Sequence, residues 1–125
     1  MNARIQHVSI PLPPDREDEA RTFYGDLLGL EGMPVPAALS ELDLLWYRLG
    51  DTEIHLYQEQ LAPDRSARHF CIAVDDVEGL RRRMEEAGVP VVGATPIPGR
   101  PRYFCRDPFG NLVELTTIVG DSYSA

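Results

Sequence analysis

Four strand-like segments of this chain pair off as an internal repeat, and each carries one metal-ligating residue type at the same phase of alternation. Ile5-Gln6-His7-Val8-Ser9-Ile10 resembles Arg68-His69-Phe70-Cys71-Ile72-Ala73-Val74, and Glu53-Ile54-His55-Leu56-Tyr57 resembles Leu112-Val113-Glu114-Leu115-Thr116. The period, about 60 residues, is too long for a solenoid and occurs only twice, so the simpler reading is one duplicated unit whose two copies face each other.

Parity turns the repeat into chemistry, because successive strand side chains point to opposite faces of a sheet. Val8 and Ile10 oppose His7 and Ser9; Ile54 and Leu56 oppose Glu53, His55 and Tyr57. Phe70, Ile72 and Val74 oppose His69, Cys71 and Ala73, while Val113 and Leu115 oppose Leu112, Glu114 and Thr116. Each strand thus has an apolar side suited to packing under helices and another side bearing a histidine or glutamate. All three histidines of the chain, with Glu114, fall on that second, chemical face. The pattern predicts convergence of His7, His55, His69 and Glu114 on one metal ion.

With 125 residues, 43% of them apolar, the chain is long enough for one compact domain or two merged half-domains with a real core. Its net charge of -8 argues against nucleic acid, whose phosphates would be repelled. Arg81-Arg82-Arg83, followed by Glu85 and Glu86, reads as a solvated helix face. No apolar run is long enough for a membrane span, and no basic-then-apolar leader opens the chain, so a cytoplasmic protein is expected. Cys71 and Cys105 lack a paired spacing and read as reduced thiols.

The order strand, helix, three strands, twice over, predicts an α+β fold of two βαβββ modules over residues 1–60 and 67–119, with a linker at 61–66 and a tail at 120–125. Carboxylates at Asp15, Glu17, Asp18 and Glu19 mark the first helix start, and Gly29 its end. A short strand follows near 30–35, then a loop at 34–38, and a hairpin runs from Leu42 to Gln58 across Gly50-Asp51. Asp75-Asp76 caps the second helix, whose stripe is Val77, Leu80, Met84 and Ala87. Asp107-Pro108-Phe109-Gly110 is the turn before the last strand. Pairing the residues that flank each turn sets Leu49 opposite Thr52 and Arg106 opposite Asn111. That register puts Trp46 across from His55 and Tyr103 across from Glu114. The expected pocket lining is then Trp46, Arg48, Tyr57, Cys71, Tyr103 and Cys105.

Phe23-Tyr24-Gly25-Asp26-Leu27-Leu28-Gly29-Leu30 and Arg106-Asp107-Pro108-Phe109-Gly110-Asn111-Leu112-Val113-Glu114-Leu115, in this order of segments, resemble the vicinal oxygen chelate superfamily. That superfamily includes glyoxalase I, extradiol dioxygenases, fosfomycin resistance enzymes and bleomycin resistance proteins. The resemblance implies eight strands around an open, barrel-like cleft, usually in a homodimer. Matched by motif, it also implies metal ligands at His7, His55, His69 and Glu114. It departs from glyoxalase I at His55, where that enzyme has an acidic ligand, and at Pro11 and Glu59, where it has the arginine and asparagine that serve glutathione. These departures point away from a glutathione hemithioacetal as substrate.

Three imidazoles and one carboxylate suit a divalent ion such as zinc, nickel, cobalt, iron or manganese. The expected activity is that of a metal-dependent lyase or isomerase, the ion chelating adjacent oxygens of a small metabolite and stabilising an enediolate-like intermediate. Glu114 is the expected base, with Tyr103 or His55 as alternatives. An iron(II)-dependent dioxygenase and a non-catalytic drug-binding protein are the competing readings.

Overall fold

The computed structural model describes residues 1–62 and 66–120, and the chain divides into two compact units, Met1–Asp64 and Arg65–Ala125. Residues 63–65 of the expected linker and 121–125 of the expected tail lie outside the described residues.

The first unit opens with strand β1 (His7–Leu12) and a helix, α1 (Glu17–Ala20), that widens into a π-helical turn over Arg21–Leu27. Leu28 N donates to Phe23 O at 3.0 Å, the five-residue step of that wider winding. Strands β2 (Glu31–Met33), β3 (Leu45–Leu49) and β4 (Thr52–Gln58) complete a sheet of order β1-β4-β3-β2, with β1 parallel to β4 and the other pairs antiparallel. Between β2 and β3 a 3₁₀ helix spans Ala37–Leu42, where a loop and then the start of a strand were expected. Asp43, at φ 51°, turns the backbone left-handed there, so extension begins only at Leu45.

The second unit repeats the plan with β5 (His69–Ala73), α2 (Val77–Glu86), β6 (Val91–Gly93), β7 (Arg102–Arg106) and β8 (Leu112–Thr116), in sheet order β5-β8-β7-β6. Asp76 caps α2 by accepting from Gly79 N at 2.9 Å. Among the described residues no helix is long and apolar enough to cross a membrane.

The cores follow the alternation. Ile10, Leu12, Ile54 and Leu56 are buried with Phe23 and Tyr24 of the first helix, and Ile72, Val113 and Leu115 with Val77, Leu80 and Met84 of α2. Each sheet therefore has a helix-covered face and an opposite face free for chemistry.

The two hairpins differ. In the first, Leu49 pairs with Thr52 and Trp46 with His55, the expected register. In the second, Arg106 pairs with Leu112 and Phe104 with Glu114, one residue away from the expectation. The cause is Asp107. Its carboxylate accepts from Phe109 N and Asn111 N, both at 2.9 Å, and from Asn111 Nδ2 at 2.8 Å. Asp107 N also donates to Asn111 O at 2.9 Å, so 107 and 111 close the ladder and three residues make the turn. Gly110, at φ 94°, supplies the conformation that a three-residue hairpin loop demands.

Candidate functional site

The corrected register moves Tyr103 and Cys105 to the helix-covered face. Tyr103 is 1% exposed, and its hydroxyl donates to the Val77 carbonyl at 3.0 Å, locking β7 to the first turn of α2. Cys105 is 2% exposed beside Val113. The register that would set Tyr103 beside Glu114 does not form, while Cys105, though buried, still lines the cavity next to His69. Burial pushes the Tyr103 phenol well above its usual range and the Cys105 thiol up to about 12.

On the chemical face of the second unit stand His69 on β5, Cys71 beside it, Glu114 on β8 and Phe104 on β7. His69 Nε2 lies 3.0 Å from Glu114 Oε1, while His69 Nδ1 lies 2.8 Å from the carbonyl oxygen of Ala67. Only a ring nitrogen bearing hydrogen can bond a carbonyl, so Ala67 sets the proton on Nδ1 and aims Nε2 at the carboxylate. Arg102 Nη1 donates to the other oxygen, Glu114 Oε2, at 3.3 Å, and the carboxylate is 8% exposed. Phe104 meets His69 edge-on, centroids 4.9 Å apart at 84°. Cys71 is exposed as a residue, yet its thiol is pushed up to about 11, by desolvation first and then by the charge of Glu114. A cavity of about 530 Å³ adjoins His69 on this face, with Pro90, Val92, Phe104 and Leu112 in its wall.

The chemical face of the first unit carries His7, His55, Trp46, Glu53 and Tyr57 around another cavity of about 530 Å³. Here the rings stack. His55 lies parallel to Trp46, at 3.8 Å and 1°, and nearly parallel to His7, at 4.1 Å and 14°. His55 Nε2 is 2.8 Å from Glu53 Oε1, and this bond holds the Glu53 carboxyl below its usual range against the opposing effect of burial. His7 Nδ1 is 2.7 Å from Gln6 Oε1. Tyr57 donates to Glu59 at 3.3 Å, and its phenol is raised by burial first and by Glu59 second. Arg48, half exposed, reaches Glu31 at 3.7 Å.

The structure thus brings the four sequence-derived donors together as two pairs, one in each unit, and in neither unit do three or more such donors gather among the described residues. Their chemistry suits a metal. Each imidazole has a nitrogen held by an oxygen, the kind of outer contact that orients a ligating ring, and the opposite nitrogens, His7 Nε2, His55 Nδ1 and His69 Nε2, are those that could ligate, the last already facing Glu114 Oε1. Stacked rings send their in-plane lone pairs along parallel lines, so chelation by both His7 and His55 requires one ring to turn. His7, the exposed one, has the room.

Sequence reasoning misses Glu53, Phe104 and Arg102. Parity had placed Glu53 beside His55, so that signal was present; the misread turn hid the other two.

Comparison with known proteins agrees with the fold. The family model described as the Glyoxalase/Bleomycin resistance protein/Dioxygenase superfamily matches residues 4–115. A glyoxalase family protein from Bacillus anthracis is 31% identical, the match covering 94% of this chain and 97% of that one, with a TM-score of 0.86. Lactoylglutathione lyase from Agrobacterium tumefaciens is 24% identical over 93% of this chain and 94% of that one, with a TM-score of 0.69. The fosfomycin resistance protein FosX from Listeria monocytogenes is 13% identical over 94% of each chain, with a TM-score of 0.76. The last two likenesses speak for the fold alone. No curated protein matches this chain. With two βαβββ units and a family match over nearly its whole length, the chain belongs to the Glyoxalase/Bleomycin resistance protein/Dioxygenase superfamily.

Proposed function

We propose that this protein is a metal-dependent, glyoxalase-like lyase or isomerase acting on a small metabolite with two adjacent oxygens. The observation that carries the reading is the His69–Glu114 pair. With the Nδ1 hydrogen committed to Ala67, the Nε2 electron pair of His69 stands 3.0 Å from a carboxylate oxygen, and two electron-pair donors face each other. A second proton on the ring satisfies such a contact, and so does a cation shared by the two atoms.

His7, His55, His69 and Glu114 are the proposed ligands. When bound, a divalent ion supplies Lewis acidity toward the adjacent oxygens of the substrate. Glu114 is the proposed base. Arg102 holds its Oε2, and Oε1, which faces His69 Nε2, is the oxygen that would take a proton from a substrate carbon once the substrate displaces it from that contact. Trp46 and Tyr57 wall one cavity and Phe104 the other. The same reading takes the working form to be a homodimer in the cytoplasm.

Elemental analysis of protein purified without chelator or added metal tests the proposal. The expected result is close to one divalent ion per chain in the wild type and its loss in His69→Ala. A wild-type protein that is folded and free of metal overturns it, and ligand binding by that protein would favour the drug-binding reading. Iron(II) retained under anaerobic purification, with oxygen uptake on adding catechol, would move the assignment to a dioxygenase.

A further inference from the structure

The two chemical faces differ in character, and the difference bears on what the substrate looks like beyond its oxygens. In the first unit the cavity mixes polar side chains, Gln6, His7, Ser9, Glu53 and His55, with Leu39, Leu44 and Trp46. In the second unit hydrocarbon dominates the lining, from Pro90, Val92, Phe104 and Leu112, with His69, Cys105 and Arg106 beside them. Val92 pairs with Phe104 across β6 and β7, and Leu112 pairs with His69 across β8 and β5. Side chains of one parity therefore form two adjoining rows, His69–Leu112–Arg106 and Cys71–Glu114–Phe104–Val92, across which Leu112, Phe104 and Val92 make a diagonal apolar row that begins next to His69. Arg106 also lines this cavity, with its Nη1 already bonded to the Gly110 carbonyl at 2.7 Å.

We infer that this row is a specificity surface, and that the substrate carries an apolar hydrocarbon or aryl substituent next to its oxygens. The inference deepens the proposed function and rests on it for the oxygen-binding end. Three features support a small ligand. About 530 Å³ lies in the range of small-molecule pockets. The wall is apolar along Leu112, Phe104 and Val92 and polar at His69, whose nitrogens face Ala67 and Glu114, and a molecule that is polar at one end and apolar along its length matches that distribution. Val92 is 63% exposed and Phe104 half-buried, so apolar surface stands in water until something covers it.

Catechol and 4-tert-butylcatechol are suitable probes, being adjacent-oxygen ligands that differ only in an apolar group. Binding is measured by calorimetry on the metal-loaded full chain, with phenol and 4-tert-butylphenol measured on the metal-free protein. The butylated compound is expected to bind at least about tenfold more tightly in both pairs, from partial burial of its four carbons. Phe104→Ala should remove most of that gain. Val92→Asn, an exposed substitution that spares the core, should remove part of it.

Equal affinities within both pairs overturn the inference, as does a gain that survives both substitutions. A change in sedimentation on Val92→Asn, with no butyl gain in the wild type, would assign the row to a second copy of the chain and overturn it as well. Failure of the metal proposal is distinguishable. In that case catechol loses its advantage over phenol, while the butyl gain in the phenol pair, sensitive to Phe104→Ala, still supports the apolar surface.

Discussion

The indole of Trp46 lies flat against the imidazole of His55, ring centroids 3.8 Å apart and planes 1° from parallel. The two residues are cross-strand partners on β3 and β4, and His7 covers the other side of the imidazole. Trp46 is the chain's one tryptophan, so its fluorescence reports on this stack alone. If His7 and His55 both ligate, a ring must turn and the stack must change. Titration with zinc or nickel is therefore expected to shift the emission in a saturable way, and His55→Ala to abolish the shift. An unchanged spectrum with metal demonstrably bound would exclude His7 and His55 as joint ligands.

Tyr103 is a structural residue in this fold. Tyr103→Phe should destabilise the protein by about 1 kcal/mol, the worth of a buried hydrogen bond lost at the Val77 carbonyl. Metal content and turnover should remain at wild-type levels. A folded Tyr103→Phe protein with turnover reduced a hundredfold would restore the hydroxyl to the chemistry.

The Asp107 loop sets which residue stands beside Glu114, and its removal should be costly. Asp107→Ala strips three hydrogen bonds from the turn and is expected to cost about 2–3 kcal/mol in urea unfolding. Gly110→Ala places a side chain at φ 94° and should cost about 1–2 kcal/mol. A loss below 0.5 kcal/mol, to take a rough threshold for Asp107→Ala, would show that the loop is held by something else.

Alkali should unfold this protein through its core. Cys105 ionises near 9.0 when exposed and is pushed up to about 12 by burial, and Tyr103 is raised as well. Above pH 9 the unfolded chain releases the Cys105 proton and the folded chain keeps it, so stability falls as pH rises. The slope from Cys105 approaches about 1.4 kcal/mol per pH unit between 9 and 12 and vanishes below 9. Urea unfolding at pH 8 to 11 checks this, and Cys105→Ala should show the shallower slope even though its stability at pH 8 is lower.

Much of the fold is legible in the residues themselves. Alternation of apolar and polar side chains is a property of extended backbone, so it names the buried face of β1, β4, β5 and β8 without knowledge of their neighbours. The duplicated His7/His69 and His55/Glu114 positions mark the chemical face for the same reason. Asp76 and Gly88 bracket α2 because cap chemistry is also local.

Pairing between strands is different, because it depends on how many residues a turn consumes. Gly50-Asp51 closes the first hairpin with two residues, while the Asp107 carboxylate gathers its loop into three. That single residue decides that Phe104, and not Tyr103, stands beside Glu114, and it sends the Tyr103 hydroxyl to α2. The sequence by itself determined the two modules, their buried stripes and the donor types on the exposed faces, since all of these follow from local periodicity and composition. Only the tertiary structure decided the partners: Phe104 beside Glu114, Arg102 holding Glu114, and His7 stacking on His55. Those contacts join residues on different strands or across a loop, and their geometry is set by register and twist, which no local pattern encodes.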